Sequence, residues 1–240
     1  MPLTAAPFWI RVIALTSCAW LSVLCAHAKP PTVAKLPRPK AVPVSKTLSK
    51  SLAAWDKKRL QDAKDCAKDA APIQAHGKDH PGLYQYDVRY EVFLDSPEIF
   101  SVGSVLNVYC GGPYPAVAEI AAVFDISTGK MYDPLKLYAI ANRTDHDGSE
   151  LLPSVRTLIR QRLLAQRKPS PKDDECIGVI ERDEIRFLDK DTLALGPEGL
   201  HVMYSGPHVV QACYGPVVLP YASLKKYRQA KEAHRIHWTH

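Results

Sequence analysis

From Leu83 to Leu94 the even positions Tyr84, Tyr86, Val88, Tyr90, Val92 and Leu94 are apolar or aromatic, and Gln85, Asp87, Arg89 and Glu91 fall between them. A period of two sets one face against a core and the other in water, which predicts an antiparallel strand. Ser96-Pro97 turns the chain into a second strand, Ile99 to Cys110, which alternates less strictly and ends at Gly111-Gly112-Pro113. Ala116 to Ile126 is the third, with Val117, Ile120, Val123 and Phe124 expected inside, and Ser127-Thr128-Gly129-Lys130 turns into Met131. Strands joined by short turns marked with Gly and Pro predict a meander.

The period changes on either side of the meander. Ser51 to Ala71 repeats Leu52, Trp55, Ala63, Cys66 and Ala70 at about the spacing of one helical face, with Cys66 facing the body of the domain and Pro72 closing the helix. Leu151, Leu152, Val155, Leu158, Ile159, Arg162 and Leu163 follow the i, i+3, i+4, i+7 template, with Arg156, Arg160 and Arg167 off the stripe, Ser149 as start and Pro169 as stop. Short strands are expected at Ile185–Leu188, Thr192–Leu195, Leu200–Tyr204, Val209–Tyr214 and Val217–Leu219, with a turn at Gly196-Pro197-Glu198-Gly199 and a helical segment over Ala222–His234. No useful repeat appears. The class is α+β: a largely antiparallel sheet, one long amphipathic helix packed on it, and a shorter N-terminal helix.

Composition adds an address. Arg11, the apolar run Val12–Leu24 and Ala26-His27-Ala28 ahead of Lys29 have the layout of a cleaved signal peptide, so residues 1–28 are read as a leader and the mature protein as periplasmic or secreted. The apolar run is too short for a stable membrane span, which takes roughly 20 residues. Residues 29–50 thread Lys29, Lys35, Arg38, Lys40, Lys46 and Lys50 through five prolines and are read as an extended basic linker, leaving 51–240 as one domain. The net charge of +6 is mildly basic. Lys225, Lys226, Arg228, Lys231 and Arg235 make the tail basic too; it is read as solvated, although a positive exported surface also attracts anionic wall polymers.

Export also gives the cysteines a meaning. Of six, Cys18 and Cys25 lie in the leader, and Cys66, Cys110, Cys176 and Cys213 remain, an even number in an oxidising compartment. None has the CxxC spacing of a zinc ribbon or a thioredoxin-type pair. Pairing neighbours in chain order, Cys66 with Cys110 and Cys176 with Cys213, ties the first helix to the early meander and a strand after the long helix to the penultimate strand. Crossed pairings require both strand cysteines to reach across the sheet.

Catalytic signatures are sparse: there is no GxSxG elbow, HExxH, Walker loop or GxGxxG. His76, Asp79 and His80 are close enough in sequence to share a metal but sit in a polar turn. Asp145-His146-Asp147-Gly148 reads as a loop leading into the helix, and Asp173-Asp174-Glu175 as a solvated approach to a strand. Tyr84, Tyr86 and Tyr90 are core residues or a carbohydrate platform. Tyr109, Gly111, Gly112, Pro113 and Tyr114 form a Gly-rich turn flanked by aromatics, the candidate recognition loop.

Several of these phrases, in this order, resemble the extracellular domain of the RsiV type, shared by lysozyme-sensing anti-sigma factors and some peptidoglycan deacetylases. Tyr109-Cys110-Gly111-Gly112-Pro113-Tyr114 resembles that family's Tyr-x-Gly-Gly-Ala-His turn, and Phe124 to Lys130 its following strand and turn. Leu152 to Gln166 is similar to its single long helix, and Gly199-Leu200-His201-Val202 with Val217 to Leu224 to its closing pattern. Pro113-Tyr114 replaces the family's Ala-His, so no role of that histidine carries over; nor do the anti-sigma and deacetylase activities. The resemblance implies a non-catalytic binding protein recognising a lysozyme-like protein or a cell-wall component such as peptidoglycan; the lack of motifs leads to the expectation of no cofactor, metal or nucleic acid. The alternative is a wall-acting hydrolase using Asp145, His146 or Glu150 as acid and base. A third reading is an assembly protein that docks through the basic arm.

Overall fold

The computed structural model describes residues 32–76, 84–110, 116–143, 149–167, 171–182, 187–188, 190–203, 213–236 and 238–239. The meander is its spine. Strands β2 (Tyr84–Asp95), β3 (Ile99–Cys110) and β4 (Ala116–Asp125) pair antiparallel in sequence order, and β5 (Lys130–Tyr132) continues beside β4. The turns are built by their own side chains. Ser96 Oγ accepts the Ile99 N–H at 3.0 Å, closing the first hairpin. At the β4–β5 turn the Asp125 carboxylate accepts the N–H groups of Ser127 and Thr128 at 2.9 and 3.2 Å. Gly129 there has φ +65°, and a Cβ on it would come within 2.5 Å of the Leu48 backbone nitrogen, so both conformation and space call for glycine.

The N-terminal segment from Thr32, expected as an extended linker, docks on the sheet as a strap. β1 (Thr32–Val33) adds to the edge of β2 in parallel, Lys40 N–H reaches the Asp95 carboxylate at 2.8 Å, and Leu36 and Val44 pack on the core. Ser45 Oγ accepts the Leu48 N–H at 3.1 Å, and helix α1 runs Lys46–His76, 31 residues. The N-terminal helix is therefore the longer one, the reverse of the expected order. Pro72 removes one backbone donor near the end without stopping it. Leu52, Trp55, Ala63, Cys66 and Ala70 are all buried, as their spacing predicts. They cover Tyr86 and Val88 of β2 and Phe100, Val102 and Leu106 of β3. Tyr86 and Tyr90 thus serve the core: their hydroxyls donate to the Arg59 carbonyl (3.3 Å) and the Asp56 carboxylate (2.5 Å) of α1. Burial, and then the Asp56 carboxylate, push the Tyr90 phenol well above its ordinary pKa. Arg59 is itself 1% exposed, its guanidinium 5.7 Å from the Trp55 ring centroid.

Alternation along β2 fails where a bulge between Val92 and Leu94 shifts the register. Val92, expected inside, is 40% exposed, and Phe93 turns to the opposite face against Ala121, Ala194 and Met203. That face is covered by a second antiparallel sheet, β9 (Leu193–Leu195), β10 (Gly199–Val202) and β11 (Val217–Pro220), in the order β11-β10-β9. Burial on both faces explains the weak alternation of β3: residues 99–104 are all buried. Ser101 Oγ, at 0% exposure, accepts the Leu195 N–H at 2.9 Å and joins the layers.

Helix α2 spans Pro153–Ala165 and buries Val155, Ile159 and Leu163 against Leu200, Val217 and Leu219, while Arg162, expected on the stripe, is exposed. It starts later than Ser149 implies, because Pro153 suits the first helical position and holds Leu152 extended. Ser149–Leu151 is instead strand β7, between β6 (Ala141–Arg143) and β8 (Phe187–Leu188). Asp173-Asp174-Glu175, expected as a solvated approach to a strand, lies instead within helix α3 (Pro171–Glu181), which Pro171 opens. The tail is folded, and its basic residues Lys225, Lys226, Arg228, Lys231 and Arg235 are exposed, as expected. It forms α4 (Tyr221–Leu224), a 3-10 turn and α5 (Ala230–Arg235), and it buries Ala233, Ile236 and Trp238. Trp238 donates its indole N–H to the Tyr138 hydroxyl at 3.1 Å.

The class is a mixed α+β fold with antiparallel-rich sheets and several helices. Disulfides join Cys66 to Cys110 and Cys176 to Cys213. They are the pairs of chain neighbours, though Cys176 sits on a helix and not on the expected strand. Among the described residues no helix is long and apolar enough to cross a membrane.

Candidate functional site

The predicted recognition loop begins where β3 ends. Tyr109 is half-buried opposite Gln85 of β2, and the neighbouring Cys110 is held to α1 by its disulfide. Gly111, Gly112, Pro113 and Tyr114 lie outside the described residues. So do Asp79, His80, Asp145 and His146; Glu150 is a half-buried residue of β7, opposite Asn142 and Phe187. His76 ends α1. Most members of the suggested metal group and acid–base group thus lie outside the described residues. Among the described residues no three His, Cys, Asp or Glu side chains are placed to hold a metal ion.

A different site is built at the other end of the sheet. The β4–β5 turn contributes Asp125, Thr128 and Lys130, β5 contributes Met131 and Tyr132, and the following 3-10 turn (Pro134–Lys136) contributes Lys136, with Asp133 as its cap. Lys190 and Arg235 of α5 complete a cleft of about 480 Å³, within the roughly 300–1,000 Å³ range of small-ligand sites. A recess of about 70 Å³ adjoins it, sharing Met131, Tyr132, Asp133 and Lys190. Strand β5 is only three residues long, and Asp133 then caps the 3-10 turn that Pro134 opens.

The charges in the cleft differ in how they are held. Asp125 is 4% exposed; burial works to raise its pKa, but hydrogen bonds from Ser127 and Thr128 outweigh this and leave it lowered, so the group is a fixed anion. Arg235 Nη1 stands 3.6 Å from the Asp125 carboxylate, and its Nε donates to Glu232 at 3.0 Å. Its guanidinium carbon lies 5.2 Å from the Tyr132 ring centroid. Burial, reinforced by the Glu232 charge, pushes the Tyr132 phenol up to about 12. Asp133 accepts the Leu135 N–H at 3.0 Å. The Lys130, Lys136 and Lys190 ammonium groups make no salt bridge among the described residues. The arrangement presents positive charge beside exposed apolar surface, Met131 being 50% exposed. It suits an anion with an apolar portion.

Nothing local in the sequence marks this cleft. Its residues come from 125–136, 190 and 235, and only the basic character of the tail hinted at an anionic partner.

No protein-family model matches the chain, and neither does any curated protein. Solved structures do. One, a DUF3298 family member from Bacteroides fragilis, is 14% identical, with TM-score 0.43, over 76% of this chain and 68% of that one. Another, from Pseudomonas aeruginosa, is 10% identical, with TM-score 0.39, over 64% and 65%. Both neighbours are DUF3298 family proteins. The chain spans about two thirds of each.

Proposed function

We propose that this is a non-catalytic, exported binding protein of the cell envelope, and that it takes an acidic cell-wall component into the cleft between β5 and α5. The observation that carries this reading is the division of charge in the cleft. Its carboxylates are engaged in hydrogen bonds or an ion pair, whereas Lys130, Lys136 and Lys190 make no salt bridge among the described residues. A locked carboxylate such as Asp125 is a poor proton-transfer group, because its pKa is held down and its lone pairs are occupied. Lysines on flexible stems suit a charged polymer better than a rigid reacting centre. Two disulfides support an oxidising compartment. The resemblance of residues 109–114 and 199–224 to RsiV-type domains supports an association with wall glycans, and leaves a lysozyme-like protein as the competing partner class.

Solubilised peptidoglycan fragments and lysozyme, each titrated calorimetrically into the mature protein, separate these partners. Fragments should bind in proportion to their negative charge and remain chemically intact. Release of new reducing ends at enzymatic rates, or binding of lysozyme alone, would replace this reading.

A further inference from the structure

Glu232 is unlike the other carboxylates around the cleft. Asp125 and Asp133 are tied to backbone N–H groups of their own turns. Glu232 has side-chain partners only: Arg235 Nε at 3.0 Å and the Tyr132 hydroxyl at 3.4 Å meet on the same oxygen, Oε2, and the charge of Lys136 acts on it as well. Donors from α5 and from β5 thus converge on one carboxylate oxygen. Arg235 does not depend on Glu232 for its position, since Asp125 and the face of Tyr132 also hold the guanidinium. If Glu232 swings away, a guanidinium and a phenol hydroxyl remain beside the vacated point.

We propose that this point is the carboxylate-binding position of the cleft, and that Glu232 occupies it as an internal competitor which a ligand carboxylate displaces. The inference rests on the binding function proposed above and narrows it to carboxylic acids. Guanidinium recognition suits a planar carboxylate, and Met131, half exposed nearby, gives the body of the ligand an apolar surface. Because the Glu232–Arg235 pair lies at the surface, displacing it costs little.

The test uses N-acetylmuramic acid, its uncharged relative N-acetylglucosamine, and inorganic phosphate, each titrated into isotope-labelled mature protein and followed by NMR. Glu232→Gln should bind N-acetylmuramic acid about three-fold more tightly than wild type, the change expected from removing one exposed ion-pair competitor. Arg235→Gln should lose that binding, and N-acetylglucosamine should bind neither form. Equal affinity of wild type and Glu232→Gln overturns the competitor role while leaving the binding function standing. Phosphate binding with the same gain overturns the preference for carboxylate. If wall fragments bind but N-acetylmuramic acid binds neither form, the carboxylate position is wrong; if nothing acidic binds, both proposals fall. Glu232→Ala, with a thermal melt, guards against a folding artefact and should show the same gain.

Discussion

Asp125 shows how one side chain serves both the fold and the site. Its carboxylate shapes the β4–β5 turn through Ser127 and Thr128 and orients Arg235 across the cleft. The folded pKa is lowered, so its stabilisation is complete above the ordinary carboxylate value of about 4 and is lost as pH falls through the lower folded value. Asp125→Asn should destabilise the protein at pH 7 by about 1–3 kcal/mol. The deficit should shrink as pH falls below about 4. Urea unfolding at a series of pH values measures both, and a deficit independent of pH would contradict the account. This residue was visible in the sequence only as part of a turn. Its ion-pair partner, Arg235 of α5, comes from a distant part of the chain.

Among elements, those with a strong local period were legible. The meander strands and the buried face of α1 follow from alternation and helical spacing, because each needs only its own residues to declare an inside and an outside. Legibility failed where neighbours decided. The bulge at Val92–Leu94 exchanges faces because Phe93 is captured by Ala121, Ala194 and Met203. α3 was obscured because an acidic run reads equally as a loop or as a favourable helix start. The strap at 32–45 read as an extended linker because its prolines preclude helix, and an edge strand and side-chain packing dock it. α1 and the sheet are held by both apolar burial and the Cys66–Cys110 disulfide. Replacing both cysteines by Ala should cost about 2–4 kcal/mol. Because Leu48, Leu52 and Trp55 anchor the opposite end, hydrogen exchange should rise first in the part of α1 nearest residue 66. Uniform exchange along the helix would show that the disulfide does not govern its local opening.

At the scale of the whole molecule, the sheets and their covering helices bring together charges that the chain keeps far apart. The tail illustrates this: its apolar residues Ala233, Ile236 and Trp238 enter the core, and in doing so they deliver Arg235 to the cleft. A reading by composition sees the lysines and arginines of that segment and misses the anchors between them. The cleft is lined by described residues outside the predicted loop sequence, so the choice of the cleft is one that experiment can check. The central claim is that the cleft lysines bind an acidic wall component. Its most direct test is calorimetric titration of peptidoglycan fragments into wild type and into the triple variant Lys130→Gln, Lys136→Gln, Lys190→Gln, at low and high salt. The account predicts at least about ten-fold weaker binding by the variant, equivalent to about 1.4 kcal/mol, with an unchanged melting temperature and a wild-type affinity that falls with salt. Equal affinity of the two proteins, insensitive to salt, would contradict it.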